Sequence, residues 1–219
     1  MTEVVVVRHG ETDWNVEGRI QGHRESELNA RGRMQAEAVG AWFREEEVEA
    51  IYSSDLKRTM DTAREIAAVL RLEIVEDKRL REWKLGVLET RLVEEVRASE
   101  SEAVRIYNER DVDAVVPGGE SVRQRYARAT GCLKEITERH PDAVVVVVTH
   151  GGILDDVYRF AKGIDLEAER TWDLHNCGIS RIRFTEGTWE VLSWGEVEHL
   201  EKIGSMADWG GEAGEEVGG

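Results

Sequence analysis

The chain has 219 residues, 41% hydrophobic and 34% charged, which suits one globular domain with a modest insertion and leaves no apolar run near the roughly 20 residues of a membrane helix. Its formal net charge of -16 argues against nucleic acid or an anionic membrane as partner, because both demand a basic face, and means that any phosphate site must be a local basic pocket. Two cysteines, Cys132 and Cys177, lack both a disulfide framework and metal-ligand spacing, and Met1-Thr2-Glu3 carries no basic leader region, so a cytoplasmic protein is expected.

The β-branched run at residues 4–7 reads as a strand buried on both faces. A helical pattern covers 29–46, with Met34, Ala38, Ala41 and Trp42 sharing a face. A short strand at 50–53 precedes a helix that Ser54 or Asp55 can cap, whose apolar face is Leu56, Met60, Ala63, Ile66, Ala67 and Leu70. Residues 72–75 suit a short edge strand. Residues 79–119 are less regular and read as an insertion over the active face, with an acidic helical stretch at 93–110. Ser121 opens a helix with Val122, Tyr126, Ala129, Leu133 and Ile136 inward. A second apolar strand spans 144–148, a helix follows over 153–162, and 179–184 with 188–194 form a hairpin across Glu186-Gly187. Residues 204–219, rich in Gly and Glu, read as a flexible acidic tail, which leaves 1–203 as the folded domain. Strands alternating with helices predict a three-layer α/β/α sandwich around a mostly parallel sheet, with ligands at the carboxyl ends of its strands.

Both apolar strands run into His-Gly: Arg8-His9-Gly10 after the first, Thr149-His150-Gly151-Gly152 after the second. If they are parallel neighbours, both imidazoles stand on one rim of the sheet, and the glycines let backbone amides approach a ligand. A lone histidine after a strand is more often a structural hydrogen-bonder, and a metal site is the next alternative, but neither His-Gly unit has an adjacent carboxylate or cysteine ligand. Arg58 stands in the first turn of a helix, where a cation opposes the dipole, and this suggests an anion held jointly with the helix amides.

Arg8-His9-Gly10-Glu11-Thr12 with Trp14-Asn15 and Gln21-Gly22-His23 resembles the signature of the histidine phosphatase superfamily, the phosphoglycerate-mutase-like proteins. Ser53-Ser54-Asp55-Leu56-Lys57-Arg58 with Thr62-Ala63, then Leu80-Arg81-Glu82, Pro117-Gly118-Gly119-Glu120-Ser121 and Val148-Thr149-His150-Gly151-Gly152 resemble its later blocks, in order, so that the likeness covers roughly residues 4–200. The resemblance implies His9 as the nucleophile of a phosphohistidine mechanism, Glu82 as proton donor to the leaving oxygen, and His150, Arg8 and Arg58 around the phosphoryl oxygens. It also implies Asn15, Gln21, Gly22 and Gly151 in the substrate pocket, with no cofactor and no metal.

Within that family, Trp83-Lys84-Leu85-Gly86-Val87-Leu88-Glu89-Thr90 resembles the phosphatase branch rather than the mutases, although Leu88-Glu89-Thr90 stands where Trp-Glu-Gly is usual. Asp155 stands where many relatives carry a basic or apolar residue, and Asp155-Asp156 reads either as dipole stabilisation near a helix start or as altered substrate choice. The expected activity is hydrolysis of small phosphorylated metabolites, with a phosphoglycerate mutase and a non-catalytic phospho-ligand binding module as alternatives. A homodimer stays open.

Overall fold

The two β-branched runs form β1 (Thr2–Arg8) and β4 (Val144–Thr149). In the computed structural model, which describes residues 1–109 and 111–205, these strands lie side by side and parallel, Val4 opposite Val145 and Arg8 opposite Thr149. β2 (Ala50–Ser53) pairs with the far side of β4, and β3 (Ile74–Glu76) forms the edge beyond it, two residues later than the sequence pattern suggested. On the other side of β1, β5 (Ile179–Thr185) runs antiparallel and returns as β6 (Thr188–Glu196), giving the order β3-β2-β4-β1-β5-β6. Glu186 and Gly187 both take positive φ, the primed-turn geometry that matches strand twist.

The sheet is therefore mixed and mostly parallel, sandwiched between helices as expected. Alternate valines of one strand point into opposite layers. Val5, Val7, Val146 and Val148 pack with Val39, Phe43, Ala63 and Ile66 of α2 (Ala30–Trp42), the turn after it and α3 (Lys57–Leu70). Val4, Val6, Val145 and Val147 pack with Leu133, Ile136, Ile153 and Val157 of α6 (Val122–Arg139) and α7 (Gly151–Lys162). The four β1 valines are 0% exposed, and full burial of each such side chain contributes about 1.5–3 kcal/mol.

The insertion is not one helix. After the short α1 (Asp13–Val16), the helical stretch expected at 93–110 is two pieces, α4 (Val93–Arg97) and α5 (Glu102–Glu109), with position 110 outside the described residues. These helices gather an apolar cluster of their own, with Ile20, Trp83, Leu85, Leu88, Val96 and Val104 at its centre. Of the expected tail only Gly204 and Ser205 are described, and both are tied down: Gln35 Nε2 donates to the Gly204 carbonyl at 2.7 Å, and Ser205 Oγ to the Asn176 carbonyl at 2.6 Å.

Three local expectations are corrected. The α3 cap is Leu56, without a side-chain bond, because Asp55 is drawn away to Arg81. On α6 Arg125 joins Val122, Ala129, Leu133 and Ile136 on the buried face, while Tyr126 is only partly covered. On α2 the inward face is Gly32, Gln35, Ala36, Val39 and Gly40, and Met34 is half exposed. That face is defined by closeness rather than hydrophobicity. A methyl built on Gly32 would run into the Glu11 carbonyl and stand 2.7 Å from the Glu11 amide, so the glycine lets α2 lie directly on the chain that leaves the first His-Gly unit.

Gly32→Ala opposes two effects. Alanine gains about 1 kcal/mol in helix propensity, while the new methyl meets rigid backbone, and overpacking of this kind costs about 1–3 kcal/mol. The clash wins, and thermal unfolding should show a Tm lowered by a few degrees. An unchanged or raised Tm would mean that α2 is free to move away from Glu11.

Candidate active site

β1 ends at Arg8 and β4 at Thr149, and the His9 amide donates to the Thr149 carbonyl at 3.0 Å, so both histidines leave the sheet at the same level. Their ring centroids are 5.2 Å apart at 62°. His9 Nδ1 lies 2.7 Å from the Gly10 carbonyl. A carbonyl only accepts, so Nδ1 carries the proton and Nε2 keeps its lone pair. Burial, followed by the charges of Arg58 and Arg8, holds the His9 pKa well below its ordinary value. His150 is lowered in the same way, by burial first and then by Arg58. Its Nε2 is 2.8 Å from Ser54 Oγ, and its buried Nδ1 has no hydrogen-bond partner among the described residues.

Arg58 is fully buried at the start of α3, where it grips the loop after α1 by donating to the Gly22 and Arg24 carbonyls, each at 2.9 Å. Burial draws its pKa down to about 10, which leaves it charged at neutral pH. Arg8 donates to the Leu174 carbonyl. The Asn15 Oδ1 is committed to the α1 capping box with Thr12, and the Gln21 Oε1 accepts from Ser26 Oγ at 2.5 Å, so what each amide has left to offer is its NH₂ donor.

Glu82 is held from two sides: the Trp83 amide donates to Oε1 at 2.7 Å and the Gly152 amide to Oε2 at 3.0 Å. Its backbone carbonyl accepts from Arg128 at 2.8 Å and from His23 Nε2 at 2.7 Å. The unusual Leu88-Glu89-Thr90 is structural. Leu88 is buried in the insertion, Glu89 accepts from the His23 and Leu85 amides at 3.1 and 3.2 Å and pairs with Arg24 at 3.2 Å, and Thr90 occupies a left-handed position at φ 75°.

Arg8, His9, Asn15, Gln21, Gly22, Arg58 and Glu82 all line one cavity of about 370 Å³. His150 lies buried beside His9 rather than on the wall, and Gly152 lines the cavity where Gly151 was expected, since successive residues at a helix start point about 100° apart. Sequence reasoning missed Trp14, Arg19, Trp83, Arg97, Tyr107, Arg125 and Arg170 on the same walls. For Arg125 a signal existed, because it shares a helical face with Val122 and Ala129, whereas nothing local marks the residues on the insertion. Six arginines against Glu82 and Asp155 make the basic pocket that a chain of charge -16 requires. Among the described residues no group of three or more His, Cys, Asp and Glu gathers as a metal site, and no helix is long and apolar enough to cross a membrane.

The dipole reading of Asp155-Asp156 does not hold, because the first turn of α7 has no acidic residue and both carboxylates are buried in the second. Asp156 takes a bidentate contact from Arg125, at 2.8 Å for each bond, while Asp155 pairs with Arg159 at 3.2 Å and lines the cavity.

Two buried imidazoles with lowered pKa values stand beside buried arginines at the carboxyl rim of the sheet's parallel strands, a setting suited to an anionic ligand. The family model for the histidine phosphatase superfamily (branch 1) matches residues 4–197, and the chain belongs to that superfamily. It is 39% identical over 208 residues to phosphoglycerate mutase-like protein 4 of Arabidopsis thaliana, covering 93% of this chain and 89% of that protein. Among solved structures it resembles Bacillus stearothermophilus YhfR, with a TM-score of 0.84 and 31% identity over 92% of this chain and 100% of that one. It also resembles mycobacterial glucosyl-3-phosphoglycerate phosphatase in complex with VO3, with a TM-score of 0.79 and 28% identity over 89% of this chain and 99% of that one.

A methyl on Gly152 would collide with Glu82 Oε1 and stand 3.2 Å from its carboxyl carbon. Gly152→Ala should therefore displace the carboxylate and lower kcat/KM for an alkyl phosphate by about 10²-fold, the scale expected for a displacement near 1 Å. Steady-state kinetics with circular dichroism as fold control check this, and full activity would mean that the carboxylate position is immaterial.

Proposed function

We propose that the protein is a phosphatase that hydrolyses small phosphorylated metabolites through a phosphohistidine on His9. The observation that carries this reading is the 2.7 Å contact from His9 Nδ1 to the Gly10 carbonyl, which leaves Nε2 as a neutral nucleophile beside Arg8 and Arg58. Nε2 attacks phosphorus while the ester bond breaks, and Glu82 gives its proton to the departing oxygen. The Glu82 carboxylate then takes a proton from water as that water attacks the phosphohistidine, which releases phosphate and restores His9. Arg8, Arg58 and His150 stabilise the phosphoryl oxygens throughout, with Asn15 and Gln21 as neutral donors. Likeness to a mycobacterial phosphatase supports hydrolysis. Likeness to a phosphoglycerate mutase-like protein keeps a second reading in which another substrate molecule, not water, takes the phosphoryl group.

Alkaline quenching of a turnover should trap phosphate on the His9 peptide in an acid-labile form, and His9→Ala should lose nearly all activity with its fold intact. Free phosphate should accumulate from a monophosphoglycerate. Label on a serine would sink the mechanism, and fast primer-dependent isomer exchange would establish the mutase instead.

An alkoxide needs a proton to leave, whereas nitrophenolate does not. Glu82→Gln should slow single-turnover phosphorylation of His9 by an alkyl phosphate by roughly 10²–10⁴-fold, and by p-nitrophenyl phosphate far less. Equal slowing of both would remove Glu82 from the role of leaving-group acid.

A further inference from the structure

Arg125 is a cation on the inward face of a helix, with its side chain 4% exposed, and it belongs to no step above. Two of its nitrogens are accounted for: Nε and Nη2 each donate to Asp156 at 2.8 Å. Such a buried pair adds little stability, since desolvation roughly cancels the attraction, so its geometry is the feature to explain. The third nitrogen, Nη1, stands 3.1 Å from where a Gly152 methyl would be, and the Glu82 carboxylate lies against that same point. Both groups line the cavity there. The guanidinium also packs 5.2 Å from the centre of the Trp83 ring, and Trp83 supplies the amide that holds Glu82 Oε1.

We infer that Arg125 is a positioning residue for Glu82: clamped to Asp156 of α7, it sets a fixed cation and the Trp83 ring around the Gly152 notch in which the carboxylate rests. The charged groups that face it are Asp156 and Asp155 from α7 and Glu82 from the insertion, and Arg159 lies behind Asp155. Asp156 and Asp155 keep the cluster near neutral, so Glu82 meets a directed charge rather than a strong field. Burial opposes the Arg125 cation, while Asp156 first and then Glu82 and Asp155 favour it and raise its pKa. This inference rests on the reading of Glu82 as proton donor.

The test is single-turnover phosphorylation of His9 by glycerol 3-phosphate and by p-nitrophenyl phosphate, in Arg125→Lys, in the double variant Arg125→Met with Asp156→Val, and in Glu82→Gln. The double variant removes both buried charges together and so strands neither. It should slow the alkyl substrate about tenfold more than the aryl one, a fraction of the roughly 10²–10⁴-fold that a general acid contributes. Arg125→Lys should retain part of the selective slowing, since an ammonium supplies the charge but not the three-nitrogen fork. Equal slowing of both substrates overturns the inference and leaves Arg125 as a strut between α6 and α7. Should the double variant not fold, Arg125→Lys decides alone: selective slowing of the alkyl substrate supports the inference, and equal or absent slowing overturns it. If Glu82→Gln itself fails to distinguish the substrates, the role of Glu82 falls; if it distinguishes them and the Arg125 variants do not, only the inference about Arg125 falls.

Discussion

The hydrogen bond from the His9 amide to the Thr149 carbonyl, 3.0 Å long, is the rung on which the site depends. A slip of one residue between β1 and β4 turns every side chain of one strand to the opposite face of the sheet and takes its histidine with it. Runs of valine cannot prevent such a slip, because each valine fills its neighbour's place equally well. Register is therefore set at the ends. At the start, Thr2 Oγ1 donates to the His140 carbonyl at 2.8 Å and the Glu3 amide to the Ala143 carbonyl at 2.9 Å. At the finish, the Cys177 amide reaches the Arg8 carbonyl at 3.1 Å and Asn176 Nδ2 the His9 carbonyl at 2.9 Å. The apolar run supplies driving force, and the polar flanks supply position.

The buried groups beneath the cavity show the opposite balance. Arg58 and His150 are wholly buried, and Arg58 Nε and His150 Nδ1 lack a hydrogen-bond partner among the described residues. Each such atom costs about 1–3 kcal/mol. The two apolar layers that flank the sheet carry that cost. Burial and cationic neighbours act on the imidazoles in one direction, towards the neutral form. The acidic surface does not oppose this, because the local field is set by the arginines that line the pocket.

Strong local signals were legible in the sequence. A block of β-branched residues can be little but a buried strand, and two such blocks ending in His-Gly put both histidines on one rim once the strands are parallel neighbours. The phase of α2 was not legible, because its inward face is made of Gly32, Gln35, Ala36, Val39 and Gly40, residues chosen for closeness, while Met34 carries the hydrophobic signal outward. Gly151 and Gly152 could not be ranked without the helix start. Asp155 and Asp156 read as dipole partners because their true partners, Arg159 and Arg125, are set by how α7 winds and how α6 packs against it. The far walls escaped for a similar reason: Arg97 and Tyr107 reach the cavity only through the packing of the insertion.

That insertion keeps its apolar cluster apart from the two that sandwich the sheet, and Leu88, Val96 and Val104 belong to it alone. The consequence is evolutionary. Trp83 and Tyr107 of the cavity wall pack in this cluster, and Trp83 ties it to Glu82, whereas the valines beneath the imidazoles belong to the other two. One wall of the cavity is therefore open to drift under selection while the two histidines keep their places, because wall and histidines rest on separate apolar clusters.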